Sequence, residues 1–470
     1  MKLTLNAFLI LCISTLVSNA FASLPDPIDP KVSVNFSFDQ RIAHTRQLYA
    51  QLKEATSAER LAYFEKSIET IKKLTPEDRL VLSEKFKVQW KKLSDEQKKV
   101  FFLQLLKEFS VDRDQLKSAI SDLDIDDDRQ LRDLHRIIEP KSQKLLRRLN
   151  QIPNGTPALL KMRGSLLTFI KELPELRSLD FDFVHLFKSW FNRGFLRLER
   201  IDWSTSAQVH EKIMEYEAVH DISDWEDLQN RVAASDRRLY AFFHPALPNE
   251  PLIFIEVALM NEVPNSIMPI LDTSVKPIDP LNANTAVFYS ISNCQIALKG
   301  VSFGSFLIKQ VVSEIQLEFN QINQFVTLSP VPGLRKWVEK VNLSGADEIP
   351  EQTIKDIQSC AGNSSPGMAI LRRLTHHYLS QEKNSKGAAL NPVAHFHLGN
   401  GAYLFDIHTH ANDNQNALED SWGVMVNYLY DLDLVAKNHE DYSNQQPVSV
   451  SSKLTKSIQI KKKKNLGLSV

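Results

Sequence analysis

The spacing of apolar residues changes once along this chain, and the change limits the folds open to it. From about Leu61 to Leu149 apolar positions recur every three or four residues: Leu61, Phe64, Ile68 and Ile71 share one helical face. Leu131, Leu134, Ile138, Leu145 and Leu149 carry a similar stripe, broken at Pro140. Helix-start signals agree. Thr75-Pro76-Glu77-Asp78 offers an N-cap, a proline at the first helical position and acidic residues after it, and Ser94-Asp95-Glu96-Gln97 spells a capping box. Asn154-Gly155-Thr156-Pro157 marks a turn into a further helix. The texture shifts between Pro174 and Asp182. After Arg237 the apolar runs are short, rich in β-branched and aromatic residues, and bounded by turn residues, which is the pattern of strands. The clearest are Leu239 to Phe243, Leu252 to Val257, Ala286 to Ile291 and Phe325 to Leu328. Between the last two, Ser305 to Phe319 reads as a helix with Phe306, Ile308, Val311, Val312 and Ile315 facing inward. The expected class is α+β: an all-helical N-terminal domain over residues 23–182, then an α/β domain over residues 183–445.

With 43% hydrophobic and 24% charged residues among 470, the chain has enough apolar material for real cores. A formal net charge of -1 favours neither nucleic acid nor an anionic membrane, so an anionic ligand has to be held locally. Residues 1–22 join Lys2 to the apolar run Phe8 to Ile13 and end in Ala20-Phe21-Ala22, the construction of a secretory signal peptide. The run is shorter than the roughly 20 residues that span a bilayer, so no stable anchor is expected. Cys12 belongs to this segment, and Cys294 and Cys360 lack the spacing of a redox or zinc pair. Residues 446–470 read as a basic, disordered tail ending in Lys461 to Lys464.

Three segments combine residue types that carry chemistry. Lys299-Gly300-Val301-Ser302-Phe303-Gly304-Ser305 joins a strand to a helix, where free N–H groups and partial positive charge suit a pyrophosphate; a plain structural turn fits the spacing equally well. Ser329, between Leu328 and Pro330, sits at a strand end where two prolines fix the backbone, either as a rigidly held hydroxyl or as a helix cap. His395 and His397, at a spacing that places both on one face of a strand, and likewise His408 and His410, suit general acid–base work or a metal. No cysteine or carboxylate completes a ligand string beside them.

Collinear blocks narrow these readings. Phe242 to Leu252, Phe288 to Cys294, Gly300-Val301 to Gly304, Leu328 to Gly333, and Phe396-His397-Leu398 with Asn400-Gly401-Ala402 resemble the malonyl-CoA decarboxylase family, as do Trp190 to Leu196, Tyr216 to His220 and Met425 to Tyr430. The resemblance runs from about Leu131 to Tyr442. It implies a helical domain that supports homo-oligomers and a catalytic domain with the fold of GCN5-related N-acetyltransferases. It also implies malonyl-CoA as substrate and release of acetyl-CoA and CO2 without metal or organic cofactor. The stretch Lys299, Gly300, Val301, Ser302, Phe303, Gly304 and Ser305 corresponds to the family's CoA-binding loop, Ser329 and His397 to its catalytic pair, and Tyr430 to an active-site tyrosine. Two features depart from the family: Ser302 stands where an acidic residue is usual, and the chain ends in Leu468-Ser469-Val470 rather than a peroxisomal tripeptide. An export signal also sits oddly with an intracellular substrate, so a cytoplasmic location is the alternative expectation. A CoA-dependent acyltransferase of the same fold and a non-catalytic malonyl-CoA-binding protein are the rival readings.

Overall fold

The computed structural model describes residues 90–91, 93–151, 153–301, 306–343, 357 and 366–459. The signal-like segment, the stripe from Leu61 to Ile71, the cap at Thr75, Ser302 to Ser305, Cys360 and the lysine run lie outside them.

The described residues form two compact units. The first comprises residues up to Asn192 together with 295–301. Its helices are α1 (Asp95–Phe109), α2 (Arg113–Ser121), α3 (Asp128–Ile138), α4 (Lys141–Asn150), α5 (Gly155–Phe169) and α6 (Arg177–Trp190). The capping box forms as the sequence predicts: Ser94 Oγ accepts from the Gln97 N–H at 3.3 Å, and the Gln97 side chain accepts from the Ser94 N–H at 2.9 Å. Phe102, Leu105, Leu146, Leu159, Leu166, Phe183 and Phe187 close the core, while α2 and α3 contribute no buried residue. Buried Asp182 accepts from Ser142 Oγ at 2.6 Å and Gln143 Nε2 at 2.9 Å, joining α4 to α6. The expected boundary at residue 183 therefore falls inside a helix, and the units divide after Asn192. Pro174 starts this last helical stretch rather than ending the domain.

The second unit is built on one mixed sheet. Strands β1 (Arg197–Ile201), β2 (Arg237–Phe243), β3 (Ile253–Met260) and β4 (Thr285–Asn293) run antiparallel in sequence order. β4 is then parallel to β5 (Gln324–Thr327). A parallel step needs a crossover, supplied by helix α9 (Phe306–Glu318), which follows α7 (Ala207–Tyr216) and α8 (Trp225–Ala233) in chain order. β8 (Met425–Leu429) lies antiparallel to β5, to β6 (Ser329–Pro330) and to β7 (Tyr403–His408). Every residue of β2 and of β8 is buried, Arg237, Arg238 and Asn427 included. Helices α10 (Leu334–Leu343), α11 (Pro366–Ser380), α12 (Pro392–Gly399), α13 (Gln415–Ser421), α14 (Val435–Ser443) and α15 (Ser452–Gln459) complete the unit. A helical N-terminal region followed by a mixed-sheet domain is the α+β class expected.

Two local expectations are corrected. His395 and His397 lie on helix α12, not on a strand: Asn391 caps it and Pro392 takes the first turn, and that start signal outweighs the alternating pattern of a six-residue stretch. The tail is ordered further than its polar composition suggests. Leu404 and Ser451 pair backbone N–H and C=O groups across to residues 449–451 and β7, and Leu454 of α15 is fully buried.

Candidate active site

The sheet brings the sequence-predicted side chains of the second unit together along β8. Ser329 on β6 faces Val426 of β8, and Leu328, just before it, donates its N–H to Phe288 O at 3.0 Å. His397 comes from the last turn of α12, and Tyr430 follows the end of β8, its N–H bonded to Phe325 O at 2.9 Å. Ser329 Oγ lies 3.1 Å from His397 Nε2, and His397 Nδ1 lies 2.8 Å from the Tyr430 hydroxyl. Ser329, His397 and Tyr430 are each 5% exposed or less.

A residue the sequence reading did not single out sets the direction of this row. The Ser329 hydroxyl donates to Thr327 Oγ1 at 2.9 Å, and the same oxygen accepts from the Tyr428 N–H at 3.1 Å. With its proton committed to Thr327, Ser329 Oγ accepts from His397 Nε2–H, and Nδ1 then accepts from the Tyr430 O–H. One imidazole tautomer satisfies every partner. Tyr428 contributes its ring as well, stacked on His397 with centroids 4.8 Å apart at 23°. Asn427 of the same strand donates to Thr327 O at 2.8 Å and accepts from His408 Nε2. Thr327 carries no motif signal; its hydroxyl is informative only once β5 and β8 are known to be neighbours.

Burial dominates the electrostatics. It pushes the His397 imidazole down to about 3 and the Tyr430 phenol well above its ordinary value, so burial favours the neutral form of both. A sharp turn follows the histidine helix at Gly401, whose φ is +87° and where a Cβ would come within 2.1 Å of Val435 O. Only glycine fits there.

The four imidazoles do not converge. His395 is exposed and bonds the Tyr442 hydroxyl at 2.9 Å, His408 turns to Asn427, and His410 occupies a left-handed turn. Among the described residues no group of three or more His, Cys, Asp or Glu side chains is placed to hold a metal. Tyr216 to His220 proves to be a structural block: the buried Glu217 carboxylate accepts from Ser290 Oγ at 2.8 Å, Ser292 Oγ at 3.0 Å and two backbone N–H groups, tying this loop to β4.

Of the expected CoA loop, Lys299, Gly300 and Val301 are described, and they belong to the first unit. Arg163 on α5, 1% exposed, donates to the carbonyls of Ala297 and, at 2.8 Å, of Lys299, while Asp180 holds its Nε at 2.8 Å. Lys299 and Gly300 are exposed, and Gly300 adopts φ +81°.

Comparison with known proteins agrees with this layout. The malonyl-CoA decarboxylase C-terminal domain matches residues 194–467 and the malonyl-CoA decarboxylase N-terminal domain matches residues 109–191. The mitochondrial malonyl-CoA decarboxylase of Mus musculus is 34% identical over 355 residues, covering 68% of this chain and 72% of its own. Among solved structures, malonyl-CoA decarboxylase from Rhodopseudomonas palustris superposes with a TM-score of 0.77 at 40% identity, covering 86% of this chain and all of its own. The enzyme from Agrobacterium vitis gives 0.75 at 39% identity, over 83% of this chain and 99% of its own. With both domains matched in order and these relatives alike across most of their length, the chain belongs to the malonyl-CoA decarboxylase family.

Proposed function

We propose that the chain converts malonyl-CoA to acetyl-CoA and CO2, with Ser329 and His397 as the reacting pair and Tyr430 behind the imidazole. The observation that carries this reading is the buried, hydrogen-bonded Ser329–His397–Tyr430 row. Heterolysis of the bond between the α-carbon and the carboxylate releases neutral CO2 and leaves the electron pair on the thioester as an enolate. The thioester itself is the electron sink. Dry surroundings favour conversion of the anionic carboxylate to a neutral gas, and hydroxyl or N–H donors aimed at the enolate oxygen lower the barrier.

Proton delivery follows from the depressed imidazole. A malonyl carboxylate next to Ser329 supplies a negative partner that raises the histidine pKa, so His397 takes up a solvent proton on substrate binding. When CO2 leaves, the charge moves to the thioester, and the imidazolium passes its Nε2 proton to the α-carbon, directly or through Ser329 Oγ. Neutral His397 and acetyl-CoA remain, and atoms and charge balance.

In the same reading the residues from Lys299 to Ser305 hold the CoA phosphates, the helical unit supports a homo-oligomer, and residues 1–22 act as an export signal. Purified protein given malonyl-CoA alone releases acetyl-CoA and CO2 in equal amounts. An acyltransferase would instead wait for an acceptor, and a binding protein would leave the thioester intact. N-terminal sequencing of the mature chain tests the export signal.

A further inference from the structure

Asn391 is fully buried and joins the two segments that carry the reacting pair. Its Oδ1 accepts the Ala394 N–H at 2.9 Å, capping the helix of His397. Its Nδ2 donates at 3.0 Å to the carbonyl of Pro332, three residues beyond Ser329. The Tyr378 hydroxyl donates to the same carbonyl at 3.1 Å. Between Ser329 and that carbonyl the chain reads Pro330-Val331-Pro332, so two of the three intervening φ angles are fixed by proline rings. Holding Pro332 O therefore holds Ser329, and the short amide of Asn391 sets the distance from that anchor to the helix start.

We infer that Asn391 is a positioning residue that fixes the separation of Ser329 Oγ and His397 Nε2. The inference rests on the Ser/His reading above. A cap alone could be supplied by serine, threonine or aspartate. What asparagine adds is a donor arm on the same planar group, and that arm is what the Pro332 carbonyl uses.

Asn391→Ser keeps the cap and removes the arm. Its kcat falls about tenfold while KM for malonyl-CoA stays within about twofold, since a small misplacement of reacting groups costs rate rather than binding. The loss vanishes when the substitution is placed in a Ser329→Ala background, because a residue that acts by placing the serine has nothing left to place. A kcat within about twofold of wild type, or an equal loss in the Ser329→Ala background, overturns the inference. If the serine variant fails to fold, Asn391→Asp serves: it caps, nearly conserves volume, and donates to Pro332 only when protonated. Its kcat relative to wild type then rises as pH falls, and a constant ratio across pH overturns the inference. Wild-type turnover in Ser329→Ala alone sinks the Ser/His reading and this inference with it. Wild-type turnover in Asn391→Ser beside an impaired Ser329→Ala sinks the positioning role only.

Discussion

Replacing Tyr430 by phenylalanine removes one oxygen from the buried row and little else. The ring keeps its edge-on contacts with Phe288, at 6.3 Å between centroids, and with His397, at 6.1 Å. What is lost is the 2.8 Å bond to His397 Nδ1, which leaves a fully buried ring nitrogen without a partner. An unsatisfied buried polar atom costs about 1–3 kcal/mol, equivalent to a factor of roughly 5–150. Ser329 Oγ still accepts from Nε2–H, but the imidazole loses its second anchor, so this cost falls on the orientation of the ring that delivers the proton. The expected result is a kcat reduced about tenfold or more with KM changed by less than about twofold, followed as acetyl-CoA release from malonyl-CoA. A kcat equal to wild type, in a variant that melts normally, would refute the claim that Tyr430 holds the imidazole.

Further outcomes follow from other parts of the fold. Gly401→Ala meets Val435 O and a left-handed φ together, and is expected to lose about 3 kcal/mol or more in urea unfolding; wild-type stability would show that the turn can relax. Arg163→Lys keeps the charge but not the two-pronged donor, so KM for malonyl-CoA rises about fivefold at nearly constant kcat if the loop at Lys299 holds CoA, and an unchanged KM removes the loop from that role. His397 stays neutral in the folded chain down to about 3, whereas the unfolded chain binds a proton near 6.5. Its contribution to stability is therefore full above about pH 6.5 and is lost as pH falls toward 3, roughly 2 kcal/mol of it by pH 5. His397→Gln should flatten the drop in urea midpoint between about pH 7 and 5, and an unaltered drop would contradict that origin.

The division into helical and mixed-sheet parts was legible because it depends on periodicity, which burial imposes directly on sequence. Ser329, a hydroxyl between an apolar strand and two prolines, was legible only as a rigid hydroxyl or a helix cap, and the family-like block from Leu328 to Gly333 selected the first. His397 was found, but its setting was misread, because two histidines one residue apart fit a strand as well as a helix until Asn391-Pro392 is weighed as a start signal. Thr327 and Tyr428 lay inside segments that were read, but no sequence signal assigned either a role. The bond between them joins residues 101 positions apart, across a sheet whose order no local pattern reveals. Within the tail, residues 449–459 are ordered by a single buried Leu454 and a few backbone bonds, which polar composition does not signal.

The central claim is that Ser329 and His397 together carry out the decarboxylation, and the most direct measurement is the turnover of Ser329→Ala and His397→Ala with malonyl-CoA as sole substrate, alongside CoA affinity. Each substitution should cut the release of acetyl-CoA and CO2 by about tenfold or more and leave CoA affinity nearly unchanged. Wild-type turnover in both variants would show that Ser329 and His397 do not carry the reaction.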